Sequence, residues 1–280
     1  MHIDAHQHFW RIDRGDYGWL TPAQGALYRD FLPADLAPTL ARLDIGKTIL
    51  VQAAPTLAET AFLLALAETT PFVAGVIGWI DFTAADAHET ISLMAANPRL
   101  VGLRPMVQDF DDPNWLLRLD LVPAIKSMVS HRLVFDALVR PQHLNALRTF
   151  VDRFPDLAVV VDHGAKPEIR HAVHASWQSD LRAIAAHSRV SCKLSGLIAE
   201  AAADWRPEQV LPYCDRLLQI FGPDRLLWGS DWPVVNLAGG YDVWRMLTAQ
   251  ALQDLKPAER AAILGGNARR VYLSHGRGIA

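Results

Sequence analysis

The chain has 280 residues, of which 51% are hydrophobic and 20% are charged, so it can bury a sizeable core and is neither disordered nor fibrous. Its formal net charge of -3 argues against a nucleic-acid partner or a membrane-surface partner, and no apolar run approaches the ~18 residues of a membrane span. Only two cysteines are present, in no C-x-x-C pair, and no secretion signal opens the sequence, so we expect a cytoplasmic protein without a disulfide framework.

Short apolar, β-branched runs alternate with longer amphipathic segments along the whole chain. Several of the short runs, such as KTILVQAA and AVVVDHG, are almost continuously apolar, which is typical of parallel strands buried on both faces. The sequence predicts eight such strands, at residues 2–6, 47–53, 73–80, 100–106, 132–137, 158–163, 190–195 and 226–231.

The segments between the strands have helical spacing and are long enough for right-handed crossovers. We expect helices at residues 56–70, 83–98, 115–131, 141–155 and 176–188. Thr56 with Glu59 fits an N-terminal capping box, and Pro141 suits the first turn of a helix. Residues 10–46 are predicted to form a long polar and aromatic loop of the kind that carries substrate contacts in barrels.

Strand and helix alternate without a Pro/Gly/Ser-rich linker and without a shift in composition. A closed ring of eight strands explains this pattern better than an open sheet followed by a second domain. We therefore predict an α/β protein with one (β/α)8 TIM barrel that spans residues 1–280 as a single domain. A doubly wound sheet is the alternative.

Polar residues stand at the predicted carboxyl ends of the strands, which a barrel brings to one face. His6 and His8 are two residues apart at the end of the first strand, so they should share one ligand or one substrate oxygen. His163 follows the sixth strand. Asp231 closes the eighth, where a carboxylate can take a proton from water unless it only caps the next helix. These four are the predicted catalytic residues.

Other strand-end residues are expected to bind the substrate. Arg104 and Lys193 offer cations for an oxyanion or for polar groups, with pairing to neighbouring aspartates as the alternative. Asp162 should point away from His163 and act as a helix cap or a hydrogen-bond partner. Ser195 has no G-x-S-x-G context, so an acyl-enzyme route is disfavoured. The predicted substrate-binding set is Arg104, Lys193, Gln52, Trp79, Asp136, Trp232, Trp10 and Tyr28.

The strings IDAHQHFW, GWIDF, VVVDHGAKP, CKLSGL and LLWGSDWPV resemble the amidohydrolase superfamily. Within it, the sequence is similar to the branch that includes L-fuconolactonase, other sugar lactonases and the 2-pyrone-4,6-dicarboxylate lactonases. The resemblance extends from residue 2 to residue 272. It implies a barrel hydrolase in which His6, His8 and His163 match the histidines of the family and Asp231 matches the base that acts on water.

The same resemblance bears on metal content. Superfamily members with two metals carry ligands at two places where this chain has Arg104 and Asp136, so we expect at most one ion. A single zinc ion on His6, His8 and Asp231 would polarise the lactone carbonyl. Lactonases of this branch can also work without a metal, so the requirement for an ion stays open.

The substrate class follows from the polar and aromatic residues. A dicarboxylate needs several cations, whereas a sugar lactone needs hydrogen-bonding groups and flat apolar faces, and this chain is rich in tryptophan near the predicted loops. We predict a lactonase that opens the ester ring of a sugar aldonolactone such as L-fuconolactone. The alternatives are a 2-pyrone-4,6-dicarboxylate-type lactonase, a metal-dependent decarboxylase or amide hydrolase on the same barrel, and a binding protein for sugar acids. The oligomeric state is not predicted.

Overall fold

The computed structural model describes residues 1–171 and 175–274, and one sheet of eight strands forms its centre. The strands are β1 His2–Gln7, β2 Ile45–Val51, β3 Val73–Gly78, β4 Leu100–Leu103, β5 Val134–Ala137, β6 Val159–Val161, β7 Val190–Leu194 and β8 Leu226–Trp228. Each strand is parallel to the one before it, and their spatial order is the chain order. The predicted (β/α)8 barrel is confirmed.

Backbone hydrogen bonds join β1 to the residues after β8 and so close the ring. The amide of Asp231 donates to the carbonyl of His6 at 2.8 Å, and the amide of His8 donates to the carbonyl of Trp232 at 2.7 Å. Gln7 and Trp232 form a parallel bridge. The ring therefore closes next to three of the predicted catalytic residues.

Helices surround the barrel and connect its strands. They are α1 Pro33–Arg42, α2 Leu57–Thr69, α3 Ala87–Met94, α4 Val122–Ser130, α5 Leu144–Arg153, α6 Ala175–Ala185, α7 Pro207–Phe221, α8 Tyr241–Ala251 and α9 Pro257–Ala261. The five predicted helices are present in shortened form, whereas α1, α7, α8 and α9 lie where no helix is predicted. Across residues 1–171 and 175–274, no helix combines the length and the apolar character needed to cross a membrane.

Proline explains two differences from the predicted elements. The segment 115–131 is not one helix, because it begins with a single short turn and α4 starts only at Val122. Pro123 lies in the first turn of α4, where proline is tolerated, and it cannot continue a helix from the residues before it. Pro33 likewise starts α1, inside the segment 10–46 that is predicted to be a loop.

Apolar side chains form two layers, one between the sheet and the helices and one inside the barrel. The interior cluster consists of Ile3, Ala5, Ile49, Val51, Ala74, Ile77, Val101, Val134, Val160, Leu227, Ala268 and Tyr272. Its last two members come from the C-terminal segment, and Gly265 of that segment packs against the start of β1. The C-terminal segment thus covers the amino ends of the strands, and the carboxyl ends remain open for a site.

Candidate active site

A cavity of about 230 Å³ opens at the carboxyl ends of the strands. This volume is below the roughly 300–1,000 Å³ of pockets for drug-sized ligands, so the cavity suits a molecule of monosaccharide size. The apolar wall consists of Trp19, Ala53, Met106, Leu138 and Val234, and the polar wall of His8, Arg104, Gln108, Asp109, His163, Lys166 and Asp231.

The four side chains predicted to be catalytic lie together around one carboxylate oxygen. Oδ1 of Asp231 is 3.3 Å from Nε2 of His8, 3.7 Å from Nε2 of His6 and 4.0 Å from Nε2 of His163. The Nε2 atoms of His6 and His8 are 3.2 Å apart. All four residues are buried, with at most 5% of their surface exposed. Of the four, His8, His163 and Asp231 line the cavity, whereas His6 is fully buried beside them and is not part of the cavity wall.

An irregularity in β1 turns His6 towards the other histidines. Ala5 belongs to the interior cluster, so strict alternation would send the next side chain outward. The pairing of β1 with β2 is interrupted between Asp4 and Gln7, and the ring of His6 lies 4.4 Å from the ring of His163, centroid to centroid. Irregularities of this kind re-aim side chains beside active sites.

A left-handed turn after β6 brings two neighbouring side chains to the site. His163 has a φ of 53°, which ends the alternation that is predicted to turn Asp162 away. Asp162 instead lies 3.5 Å from Nδ1 of His6, as a polar partner rather than as a helix cap. Gly196 has a φ of 67°, and a Cβ there would lie 2.5 Å from Nδ1 of His163. The approach of His163 therefore requires glycine at this position.

The buried carboxylate of Asp4 forms hydrogen bonds with both backbone segments that carry the site, the end of β1 and the residues after β8. Its Oδ1 accepts hydrogen bonds from the amides of His6 at 3.1 Å and Ser230 at 2.8 Å, and its Oδ2 accepts one from the hydroxyl of Tyr241 at 2.8 Å. Asp231, next in the chain, has a φ of 59°, which is strained for a residue other than glycine. The hydrogen bonds to Asp4 stabilise this strained backbone.

A backbone carbonyl fixes the ring of His8. Nδ1 of His8 lies 2.8 Å from the carbonyl oxygen of Val51, which can only accept, so Nδ1 carries the hydrogen. In the neutral ring, Nε2 then has a lone pair directed at Asp231. His8 is therefore suited to bind a cation or to accept a proton, and not to donate a hydrogen bond to a substrate carbonyl.

Nδ1 of His6 has two neighbours that favour different tautomers. The ammonium of Lys193, 3.2 Å away, can only donate, whereas the ionised carboxylate of Asp162, 3.5 Å away, can only accept. When Nδ1 accepts from Lys193, Nε2 has a hydrogen that it can donate to a substrate. When Nδ1 donates to Asp162, Nε2 offers a lone pair to a metal ion.

The donor atoms of the site fit one divalent metal ion. His6, His163 and Asp231 each offer one ligand atom, and these atoms lie within 4.8 Å of one another. Nε2 of His8 is 3.2 Å from its counterpart in His6 and 3.3 Å from the carboxylate of Asp231. Ligands of a tetrahedral zinc ion with bonds of about 2.1 Å are about 3.4 Å apart, so both spacings are compatible with such an ion.

The site combines a negative charge with neutral imidazoles. Burial raises the pKa of Asp231, but the surrounding imidazoles, His163 first, outweigh it and hold that pKa below its usual value. Burial, with the ammonium of Lys193, holds the pKa of His6 well below its usual value, and burial lowers the pKa of His163 to about 4. At neutral pH a carboxylate therefore faces imidazoles that are free of the extra proton that would block metal binding.

Acid is expected to destabilise the fold through His163. An unfolded histidine titrates at 6.5, whereas His163 in the folded protein titrates at about 4, so the unfolded state binds more protons between these values. The contribution of neutral His163 is complete above pH 6.5 and falls by roughly 3 kcal/mol as the pH drops to about 4. Urea unfolding of the wild type and of His163→Asn measures it. A stability difference between the two that stays constant over this range would contradict the expectation.

Buried ion pairs surround the two cations that are predicted to bind substrate. The ammonium of Lys193 donates to the carboxylate of Asp136 and forms an ion pair with that of Asp162, whose Oδ1 is 2.9 Å away. Arg104 donates to Asp162 at 3.1 Å, and the hydroxyl of Tyr272 donates to Asp136 at 2.8 Å. Arg104 reaches the cavity wall, but Lys193 and Asp136 are fully buried outside it. These two pair with each other, and their contact with substrate stays a prediction.

The remaining residues predicted to bind substrate also lie outside the cavity wall. Gln52 and Trp10 are fully buried, and Trp232 packs edge-on against two phenylalanine rings. Tyr28 lies on the long first loop and is 38% exposed, whereas Trp79 lines a separate cleft. A substrate contact of these five residues stays a prediction.

Glu59 supports the part of the cavity wall that holds Trp19. Its amide donates to Oγ1 of Thr56 at 3.0 Å, as the capping box predicts, but its carboxylate accepts from the amides of Ala53 and Ala54 rather than from Thr56. The carbonyl of Ala53 in turn accepts from the indole of Trp19 at 2.8 Å. Burial raises the pKa of Glu59 to about 7. This helix start therefore anchors the first loop to the barrel.

Three polar residues of the wall are missing from the predicted site. Gln108 and Asp109 lie in a single turn after β4, and Lys166 ends the left-handed turn after β6. Strand periodicity stops before these turns, so it does not indicate where their side chains point. The string GAKP after His163 is the only sequence signal for Lys166.

Comparison with known proteins extends the likeness over the whole barrel. The family described as amidohydrolase matches residues 3–273. An L-fucono-1,5-lactonase from Burkholderia ambifaria is 44% identical over 274 residues, which cover 96% of this chain and 94% of the relative. An L-fucono-1,5-lactonase from Burkholderia multivorans is 37% identical over 289 residues, which cover 97% of this chain and 96% of that relative. A crystal structure of an amidohydrolase from Burkholderia multivorans with bound zinc has a TM-score of 0.92 at 36% identity and covers 97% of this chain and 99% of that one.

Proposed function

Because this chain belongs to the amidohydrolase family, we propose that it is a lactonase that adds water to the ester ring of a sugar lactone and releases the free sugar acid. The observation that carries the proposal is the carboxylate of Asp231 within 4.0 Å of three imidazoles in a cavity of monosaccharide size. The nearly full-length similarity to two L-fucono-1,5-lactonases supports L-fucono-1,5-lactone, or a close relative of it, as the substrate.

The charges of the cavity wall favour a neutral substrate. Among the described residues, the cations of the wall are Arg104 and Lys166, and each already pairs with a carboxylate. Arg104 pairs with Asp162, and Lys166 pairs with Glu200 at 3.3 Å. A dicarboxylate would bring two further negative charges to a wall that also carries the charge of Asp231. This is the reason to prefer a sugar lactone over a pyrone dicarboxylate.

Asp231 is the proposed general base. As water attacks the lactone carbonyl carbon, the carboxylate accepts a proton from the water, and a tetrahedral oxyanion forms. The bond between this carbon and the ring oxygen then breaks, and protonated Asp231 returns the proton to the departing ring oxygen. The products are a carboxylic acid and a hydroxyl group on one open chain, so atoms and charge balance.

The histidines take different parts in this proposal. His163 lines the cavity and can present a hydrogen on Nε2, so it is the first proposed donor to the developing oxyanion. His6, which is fully buried next to it, can present a second hydrogen on Nε2. The Nδ1 atom of His163 lies 2.9 Å from the hydroxyl of Ser195, which can donate to it and so leave the hydrogen on Nε2. His8, whose Nε2 has a lone pair, orients the attacking water.

The metal centre is a second arrangement of the same residues, in which Nε2 of His6 would offer its lone pair instead of a hydrogen. His6, His8 and Asp231 would hold one zinc ion, with His163 beside them. A bound zinc ion polarises an ester carbonyl and lowers the pKa of water. Together, the family, the zinc-bound neighbour and the donor set point to a divalent metal at this site.

A lactone panel tests the function. Purified protein, chelated and then loaded with zinc, is assayed with a pH indicator on L-fucono-1,5-lactone, on other neutral aldonolactones and on a 2-pyrone-4,6-dicarboxylate. We expect turnover of the neutral lactones at least about 100-fold above that of the dicarboxylate, because the wall cations are already paired. Preference for the dicarboxylate would contradict the proposal. Comparison of the two preparations reports how far the activity depends on the ion.

A further inference from the structure

The turn after β4 carries an unused hydrogen-bond acceptor into the cavity wall. Oε1 of Gln108 is buried and has no hydrogen-bond partner within residues 1–171 and 175–274. Gln108 lines the cavity, and buried polar atoms nearly always have a partner, so this acceptor is available to a ligand that binds there. We propose that Oε1 of Gln108 accepts a hydrogen bond from one hydroxyl of the sugar lactone and thereby selects hydroxylated substrates.

The backbone of Gln108 is held firmly enough for such selection. Its amide donates to the carbonyl of Leu138 at 2.9 Å, which bonds the turn to the segment after β5. The preceding residue, Val107, is buried in the core. A recognition group on a fixed backbone discriminates better than one on a mobile loop, because less order has to be imposed on binding.

Two neighbours of Gln108 offer its acceptor oxygen no partner. Met106 and Leu138, on the same wall, are apolar and offer no donor. An amide oxygen can only accept, so a carboxylate of a ligand cannot satisfy it, whereas a hydroxyl can. Nε of Arg104 is also buried without a partner, but the other nitrogens of that guanidinium are bonded to Asp162 and to the carbonyl of Gln52. A change of Arg104 would therefore break a buried ion pair, whereas a change of Gln108 would not.

The inference rests on the proposed function, and monodeoxy substrates test it separately. The substrates are L-fucono-1,5-lactone and the analogues that each lack one hydroxyl, and the enzymes are the wild type, Gln108→Leu and Gln108→Glu. We expect the wild type to lose about three- to tenfold in kcat/KM on one analogue, which is the effect of one neutral hydrogen bond. Gln108→Leu should show the same loss on the parent lactone and no further loss on that analogue. Gln108→Glu keeps an acceptor oxygen and should keep the discrimination.

Each outcome separates the two proposals. If the wild type and Gln108→Leu show the same profile over the analogues, the role of Gln108 is overturned and the lactonase function stands. If the wild type opens none of the lactones, the proposed function fails first. Gln253→Leu, an exposed residue after α8, is the matched control and should leave the profile unchanged. Should Gln108→Leu lower the Tm, Gln108→Ala makes the same comparison without added bulk.

Discussion

Asp231→Asn is expected to lower kcat on L-fucono-1,5-lactone by about 10²- to 10⁴-fold, the usual contribution of a positioned general base. Asparagine has the same size but cannot take a proton from water. The amide of residue 231 still donates to the carbonyl of His6, so the fold should be retained. KM should change much less than kcat, because the lost interaction belongs to the transition state. Steady-state kinetics on folded protein provides the measurement.

The control for this variant is Asp215→Asn, the same change at an exposed position on α7. Its kcat should equal that of the wild type. The metal content of both proteins is measured alongside the rates, because Asp231 is also a proposed ligand. A kcat for Asp231→Asn within tenfold of the wild type would remove Asp231 from the role of base.

Lys193→Met is expected to lower the free energy of unfolding by about 3–5 kcal/mol, which is typical when one partner of a buried ion pair is removed. The ammonium forms ion pairs with Asp136 and Asp162, and all three side chains are fully buried. Methionine fills similar space but leaves the carboxylate of Asp136 without its cation. Urea unfolding at neutral pH measures the loss.

A double variant separates charge from packing. Lys193→Met combined with Asp136→Leu removes both charges, and such replacements are often neutral, so much of the stability should return. Activity should not return with it, because Nδ1 of His6 has still lost the donor at 3.2 Å. A single variant as stable as the wild type would show that the ammonium compensates neither carboxylate.

The barrel could be predicted from simple periodicity, and so could the strand ends that carry its four central side chains, although the irregularity in β1 and the turn at His163 that aim two of them could not. Strands buried on both faces are apolar throughout, so they stand out, and parallel strands in a ring must place their carboxyl ends together. This brings His6, His163 and Asp231 to one point although they are far apart in the chain. Their roles in catalysis stay proposals.

Periodicity does not predict how deep the side chain of a strand-end residue lies within the barrel. Lys193 and Arg104 both stand at strand ends, but only Arg104 reaches the cavity, since the ammonium of Lys193 is bound by two carboxylates. The left-handed turn at His163 also ends the alternation on which the placement of Asp162 depends. Gln108 lies in a turn that is hydrogen-bonded to the segment after β5, a contact that a single sequence does not reveal.

The bonds of Asp4 have a kinetic consequence. Its partners Ser230 and Tyr241 lie 226 and 237 positions further along the chain. Contacts of such long range form late, because the entropy of closing the intervening loop must be overcome first. Until β8 has joined the sheet, the carboxylate of Asp231 cannot lie beside His6 and His8. Recovery of turnover after dilution from denaturant is therefore expected to report the final closure of the ring.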